Sequence, residues 1–271
     1  MYMLINLVQD VFESKISKNI KNDAEINRNV AEIVIIAICH KRHFHKSIYV
    51  RGFVSRYVKS AVIFDMDGVL IDSEMLWVAR EFELYVGEIP GWNRQKQKEF
   101  AGRSVDDINR ILREKYAKDY ELKAFRQRYR DLASDIYNRW TQLNPGVREL
   151  LSALRASKFK VALASYAPRL WIDTVFGRFD LLREFDVVVG VDEVGGKGKP
   201  DPSIYLLAIK RLNIAPSEMV AIEDTPNGIA AAKAAGLCCI GYVSDPSYDR
   251  SKADMVITDF KQISPEIIRG L

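Results

Sequence analysis

From residue 60 onward the chain alternates between two textures. Short, unbroken apolar runs rich in β-branched residues occur at AVIFD, KVALAS, FDVVVG, MVAIED, CCIGYV and MVIT, most of them bounded by Gly, Pro, Ser or Asp. Runs of that length predict strands buried on both faces. Between them lie stretches with helical spacing of apolar positions, such as SIYLLAIKRL and NGIAAAKAAG, the second closing at Gly236 as helices commonly do. Strand and helix in alternation predict an α/β fold, a Rossmann-like parallel sheet with helices on both faces.

One interval breaks the alternation. Residues 75–143 hold no strand-like run but several helical ones, including SVDDINRILREKY and the long charged YELKAFRQRYRDLASDIYNRW. This predicts an all-helical domain inserted after the first strand, with NPGVRELLSALRAS returning the chain to the sheet. The expected organisation is an α/β core made of residues 59–74 and 144–271, a helical domain at 75–143, and an N-terminal extension at 1–58.

The extension differs in texture. Its apolar centre, VAEIVIIAIC, contains Glu32 and is far shorter than the ~20 residues a membrane-spanning helix needs. Asp10, Glu13, Asp23 and Glu25 count against a transit peptide, and no secretory signal is convincing. The group Cys39, His40, His43 and His45 is a zinc-ligand set by residue type, but its irregular spacing and the intervening Lys41 and Arg42 favour a solvated basic loop. The stretch KSIYVRGFVSRYVKS reads as an edge strand or loop, with contact to a membrane surface or acidic partner as the other reading. A translation start near Val58 would leave part of this front outside the natural protein.

Charge and cysteines narrow the function classes. Ten of the 40 Lys+Arg and five of the 36 Asp+Glu lie in residues 1–60, which leaves 30 basic and 31 acidic residues in a nearly neutral body. Phosphate-backbone binding needs a concentrated basic face, so nucleic acid is not the expected partner. The three cysteines, Cys39, Cys238 and Cys239, make no disulfide framework, which fits a reducing cytoplasm.

Polar residues at the ends of the predicted strands carry the chemistry. Asp65 and Asp67 follow the first strand, two positions apart, so an extended chain points both carboxylates to one side while Gly68 permits a sharp departure. Ser165 ends VALAS, Lys199 follows FDVVVG in GGKGKPDP, and Glu223 and Asp224 end MVAIED. Each has an ordinary alternative: Asp-rich turns cap helices or bind calcium, Ser165 and Asp224 can cap the helices after them, and Lys199 can be a solvated lysine, with Lys197 close by. Open parallel sheets bind ligands outside the carboxyl ends of their strands, and four such ends carry complementary chemistry here.

In order and in type, FDMDGVLIDSE, LAS, GKPDPSIY and IEDTPNGIAAAKAAG resemble the four motifs of the haloacid dehalogenase (HAD)-like hydrolase superfamily, mostly phosphatases, over about Lys59 to the C-terminus. The similar subgroup contains β-phosphoglucomutase and sugar-phosphate phosphatases with a helical cap. The resemblance implies that residues 75–143 are a cap domain closing over substrate. It implies Mg²⁺ held by Asp65, Asp224 and the backbone carbonyl of Asp67, with Glu223 a direct ligand, a ligand through water, or a support for its neighbours. Asp65 is then the nucleophile that forms an aspartyl-phosphate, and Asp67 the general acid and base. Ser165 would hydrogen-bond a phosphoryl oxygen, and Lys199 would set a positive charge beside it. FAGRS sits where relatives place a substrate-facing cap loop, which makes Arg103 and Ser104 substrate-binding candidates. Glu74, Trp77 and Arg80 share a helix face, with Trp77 expected to pack within the cap.

Two positions depart from the resemblance. β-Phosphoglucomutase carries a cap histidine where this chain has Trp77, and no histidine follows His45; SYAP places Tyr166 where relatives often carry a small or amide residue. The expected function is a Mg²⁺-dependent phosphatase hydrolysing a small phosphate ester, a sugar phosphate ahead of phosphoglycolate or a nucleotide. A hexose-phosphate mutase, a noncatalytic phosphometabolite-binding protein and a partner-binding role of residues 1–58 are the alternatives.

Overall fold

The computed structural model describes residues 58–100 and 104–271. The N-terminal extension up to Tyr57, with its Cys39, His40, His43 and His45 group, lies outside the described residues, as does Arg103.

All six apolar runs form strands: β1 (Ala61–Phe64), β2 (Lys160–Ala164), β3 (Val187–Val189), β4 (Met219–Glu223), β5 (Cys238–Tyr242) and β6 (Met255–Ile257). They make one sheet in the order β3-β2-β1-β4-β5-β6, every pair parallel. The chain winds outward from β1 to β3 on one side and from β4 to β6 on the other, so the switch in direction falls between β1 and β4. That is where an open parallel sheet offers a crevice beyond its strand ends. Register sets the level of the site, because Phe64 lies opposite Leu163 of β2 and Ile222 of β4. The residues after them therefore emerge together.

β1 is wholly buried because its alternate side chains feed two cores. Val62 and Phe64 join the cluster with α5 (Val147–Ala156) and α6 (Arg169–Phe179), whereas Ala61 and Ile63 pack with α7 (Ser203–Leu212) and α8 (Pro226–Ala234). A short C-terminal α9 (Pro265–Arg269) adds Ile268 to the first cluster.

Between β1 and β2 the chain is helical, as its sequence predicts: α1 (Ser73–Val86), a short α2 (Arg94–Gln97), α3 (Val105–Tyr116) and α4 (Leu122–Asp135). These build a third cluster from Tyr85, Ile89, Trp92, Phe100, Ile108, Ile111, Leu112, Phe125 and Tyr129. The stretch YELKAFRQRYRDLASDIYNRW is not one uniform helix. Its last turn, Ile136–Trp140, widens so that the Thr141 N–H reaches the Ile136 carbonyl five residues back, at 3.1 Å. The widening falls where the helix passes from the third cluster, through Phe125 and Tyr129, into the first, through Leu132, Ile136 and Tyr137. Entry and exit of the insertion are tied together: Asp72 N–H donates to Gln142 O (3.0 Å), Gln142 N–H to the Asp72 carboxylate (2.6 Å), and Asn144 Nδ2 to Gly68 O and Val69 O (3.0 and 2.8 Å).

Glu81 on α1 stands in a poorly hydrated place beside Tyr129 and Gln97, and loss of water around it lifts its carboxyl to about 7, against the hydrogen bonds from those two residues. A raised acid favours the folded state only while protonated. Its contribution is complete below the ordinary value of 4.5 and is lost as pH rises to about 7. Comparing urea midpoints at pH 5 and pH 8, Glu81→Gln is expected to shrink the fall seen in the parent; an unchanged difference between the two pH values refutes the assignment.

Candidate active site

The site begins where β1 stops. The strand ends at Phe64, and the Met66 carbonyl then collects the N–H groups of Val69, Leu70 and Ile71 at 3.3, 2.9 and 3.1 Å. Asp65 and Asp67 thus share a site because of a tight turn, not because an extended strand alternates through both. Gly68 takes φ +77°, and a side chain there would run into the Asp224 carboxylate. The turn and the end of β4 consequently lie in direct apposition.

Asp65, Glu223 and Asp224 are buried and offer carboxylate oxygens that all lie within 4.8 Å of one another. Lys199 reaches into this cluster with a side chain only 9% exposed, donating to Asp65 Oδ1 at 2.6 Å and to Glu223 Oε1. Burial works against its charge, but Asp65 and Glu223 outweigh that and hold the ammonium above the ordinary lysine value. Lys197 is exposed, so the Lys-Pro position is the one that enters the site. Glu223 Oε1 also accepts from the Tyr205 hydroxyl, and Asp224 Oδ2 accepts from Ser244 Oγ at 2.6 Å. Burial raises both Glu223 and Asp224, countered at Glu223 by Lys199 and reinforced at Asp224 by the Asp65 charge.

Two oxygens, Glu223 Oε2 and Asp224 Oδ1, are buried without a hydrogen-bond partner among the described residues. A buried acceptor left unpaired is costly, and three carboxylates exceed what one ammonium can neutralise. The donors are all hard oxygens, the set that suits a divalent metal of the Mg²⁺ or Ca²⁺ type. The residues present fit such an ion.

Asp67 faces the insertion. Its Oδ1 accepts from Ser73 Oγ at 2.6 Å and from the Tyr137 hydroxyl at 3.0 Å. Burial, with the Asp65 charge, lifts its carboxyl to about 7 against those two bonds. Trp77 Nε1 donates to the Tyr137 oxygen at 3.3 Å and the two rings meet edge-on at 6.0 Å, so Trp77 does pack inside the insertion. Along the same helix Glu74 accepts from the Tyr248 hydroxyl, and the Arg80 guanidinium lies 3.9 Å above the Trp140 ring.

The ordinary alternatives divide. Ser165 is buried, and its oxygen accepts from Ala167 N–H at 3.1 Å, but it does not cap α6, which starts after Pro168. Asp224 does not cap α8 either; Thr225 does, accepting from Gly228 N–H at 3.1 Å. Ser104, by contrast, is the N-cap of α3, accepting from Asp107 N–H at 3.1 Å and donating to the Asp107 carboxylate at 2.8 Å. A hydroxyl so engaged holds the helix, and no described bond of Ser104 reaches the carboxylate centre. The Tyr166 ring lies against Gly198, the residue before Lys199.

Sequence reasoning did not single out Ser73, Tyr137, Tyr205 or Ser244. Ser73 and Tyr205 stand inside two of the quoted motifs, FDMDGVLIDSE and GKPDPSIY, whereas Tyr137 and Ser244 are joined to the site only by the fold.

Carboxylates and Lys199 thus gather at the carboxyl ends of a parallel sheet as a donor set suited to a cation. The chain belongs to the haloacid dehalogenase-like hydrolases, whose family model matches residues 59–236. Among characterised relatives it is similar to the phosphorylated carbohydrates phosphatase of Thermotoga maritima, 37% identical over 181 residues, covering 65% of this chain and 82% of that one. It is also similar to the phosphoglycolate phosphatase of Shigella boydii, 28% identical over 76% of this chain and 91% of that one. Among solved structures, a putative β-phosphoglucomutase from Thermotoga maritima is 34% identical with a TM-score of 0.60, covering 77% of this chain and 96% of that one. CbbY from Rhodobacter sphaeroides in complex with phosphate is 25% identical with a TM-score of 0.64, covering 74% and 95%.

Gly228 tests how tightly the cluster is held. In a helix, alanine normally outperforms glycine by about 1 kcal/mol. Here an added Cβ would overlap the Glu223 carboxyl, which Lys199 and Tyr205 keep in place. Gly228→Ala is therefore expected to lower, not raise, the melting temperature; a rise in calorimetry shows that Glu223 yields freely.

Proposed function

We propose that the chain is a Mg²⁺-dependent phosphatase that hydrolyses a small phosphorylated metabolite, a sugar phosphate, through an aspartyl-phosphate on Asp65. The observation that carries this reading is the pairing of the two aspartates. Asp65 is a buried carboxylate bridged by Lys199 to Glu223, and Asp67 is a carboxyl held near neutrality beside it.

Phosphate monoesters repel an anionic nucleophile, and Lys199 offsets part of that repulsion beside Asp65. Asp65, Asp224 and the Asp67 backbone carbonyl would hold the metal, with Glu223 next to them; the ion supplies charge neutralisation and orients nucleophile and phosphoryl group. Asp65 forms its bond to phosphorus as the ester P–O bond breaks, and Asp67 gives its proton to the departing oxygen, which leaves as an alcohol. In the second half Asp67 takes a proton from water, the water oxygen bonds to phosphorus, and the Asp65–phosphorus bond breaks to release phosphate. A carboxyl with a value near 7 is suited to both directions of transfer. Ser165 would hydrogen-bond a phosphoryl oxygen. The insertion at residues 75–143 would act as the cap that excludes water, with Arg103 and Ser104 as its substrate contacts.

The sugar-phosphate assignment draws on the Thermotoga phosphatase named for phosphorylated carbohydrates and on CbbY structures that hold phosphate and xylulose-1,5-bisphosphate. Hydrolysis is favoured over mutase chemistry because Trp77, at the mutase histidine position, commits its N–H to Tyr137. The free Cys238 and Cys239 fit a reducing cytoplasm, and no helix among the described residues is long and apolar enough to cross a membrane.

Phosphate release measured over glucose 6-phosphate, further hexose phosphates, phosphoglycolate and nucleotides is expected to rank a sugar phosphate first. Asp65→Asn is expected to lower it by at least about a thousandfold with an unchanged circular dichroism spectrum. Retained turnover removes the covalent mechanism, and isomer formation without phosphate release moves the chain to the mutases. Treatment with EDTA is expected to stop release and excess Mg²⁺ to restore it; indifference to chelator overturns the metal assignment.

A further inference from the structure

Tyr137 is separated by 70 positions from Asp67, yet its hydroxyl ends on the Asp67 carboxyl. Hydrogen-bond chemistry fixes the direction of each link. The Trp77 indole N–H can only donate, so the Tyr137 oxygen accepts from it, and the single hydroxyl hydrogen of Tyr137 is left to point at Asp67 Oδ1. Ser73 Oγ donates to the same oxygen. Two donors occupy both lone pairs of Oδ1, whereas no described hydrogen bond lands on Oδ2.

We propose, building on the phosphatase reading, that Tyr137 is a positioning residue for the acid/base step: with Ser73 it fills Asp67 Oδ1 and so assigns the transferred proton to Oδ2. Trp77 acts one link further out by orienting the hydroxyl. The device joins the two ends of the helical stretch, since Ser73 opens α1 and Tyr137 sits in the widened turn that closes the stretch.

The surroundings hold Tyr137 from the sheet side as well. Arg178 on α6 donates to the Tyr137 carbonyl at 3.1 Å, to Thr141 Oγ1 at 3.0 Å and to the Arg139 carbonyl at 3.3 Å, gripping the widened turn. Trp171 on the same helix packs on the Tyr137 ring with centroids 5.8 Å apart. A regular helix would place its final N–H four residues back; the five-residue turn at Ile136–Thr141 is where this helix departs from that pattern, and such turns are frequent at functional sites. A tyrosine serving only as core filler would not need a hydroxyl aimed at a carboxylate that the reaction uses.

The test separates proton delivery from folding by the leaving group. An alkyl phosphate expels a poor leaving group that needs the proton, whereas p-nitrophenyl phosphate expels a stable phenolate that does not. In the full chain, Tyr137→Phe keeps the ring and removes the hydroxyl. Its kcat on the best sugar phosphate of the panel is expected to fall about 10- to 100-fold, within the range that general acid catalysis contributes, with KM shifted less than about threefold. On p-nitrophenyl phosphate the pre-steady-state burst of nitrophenolate, which reports formation of the aspartyl-phosphate before Asp67 is needed as the base, is expected to slow by less than about threefold. Trp77→Phe, which keeps an aromatic ring and removes the N–H, is expected to show the same ester dependence at smaller size, and it carries the test if Tyr137→Phe does not fold. Equal losses in sugar-phosphate kcat and in the nitrophenolate burst, or a change confined to KM, with wild-type turnover still abolished by Asp65→Asn, overturn the positioning role and leave the phosphatase reading standing. A wild type that releases phosphate from none of these esters overturns both.

Discussion

Three carboxylates confined at the end of a parallel sheet, with one lysine among them, set the terms for the rest of the molecule. Charges removed from water cost several kcal/mol each unless they are paired and hydrogen-bonded. Lys199 answers part of that cost by bridging Asp65 and Glu223, Tyr205 and Ser244 answer more, and two oxygens remain unanswered. The remainder is the physical case for a divalent ion. The same crowding explains why Gly68 and Gly228 carry no side chain, since each sits where a Cβ would overlap one of these carboxylates. It also accounts for the elevated value of Asp67, which senses the Asp65 charge in a place already poor in water.

Most of the sheet was legible in the chain because its strands are buried on both faces. A strand such as Val-Ala-Ile in β4 has no solvent side and so no polar alternation to confuse with a loop, and the polar residues that end it stand out. Asp65, Lys199, Glu223 and Asp224, which the fold gathers in one cluster, stood out for that reason: each marks the place where an apolar run stops or the loop just beyond. The insertion was legible as helices, but not in its details. The widened turn at Ile136–Trp140 contains no Gly or Pro to mark it, and it falls where the packing partner changes, which no local pattern encodes.

The partners of the site residues were the least legible part. Ser244 reaches Asp224 from the loop after β5, and Tyr137 reaches Asp67 across the whole insertion. A single hydroxyl at either place leaves no periodic trace. Capping shows the reverse error: Asp224 and Thr225 are adjacent and both are good caps by type, and only the geometry gives the role to Thr225. Ser104, a substrate candidate by its place in FAGRS, also follows the plain local rule that serine before an acidic first turn caps a helix.

The joined linkers have a further consequence. Because Asp72 and Gln142 pair where the insertion leaves and rejoins the sheet, both ends of the helical stretch are fixed at one short seam, beside the turn that Arg178 grips. A change that loosens this seam therefore acts on both ends of the insertion at once, and on the turn after β1 that Asn144 holds through Gly68 and Val69. Tyr137 is a second tie between the same two parts. It belongs to the helical stretch yet bonds to Asp67 in that turn, so a displacement of the stretch is felt at the carboxyl before it is felt in the sheet.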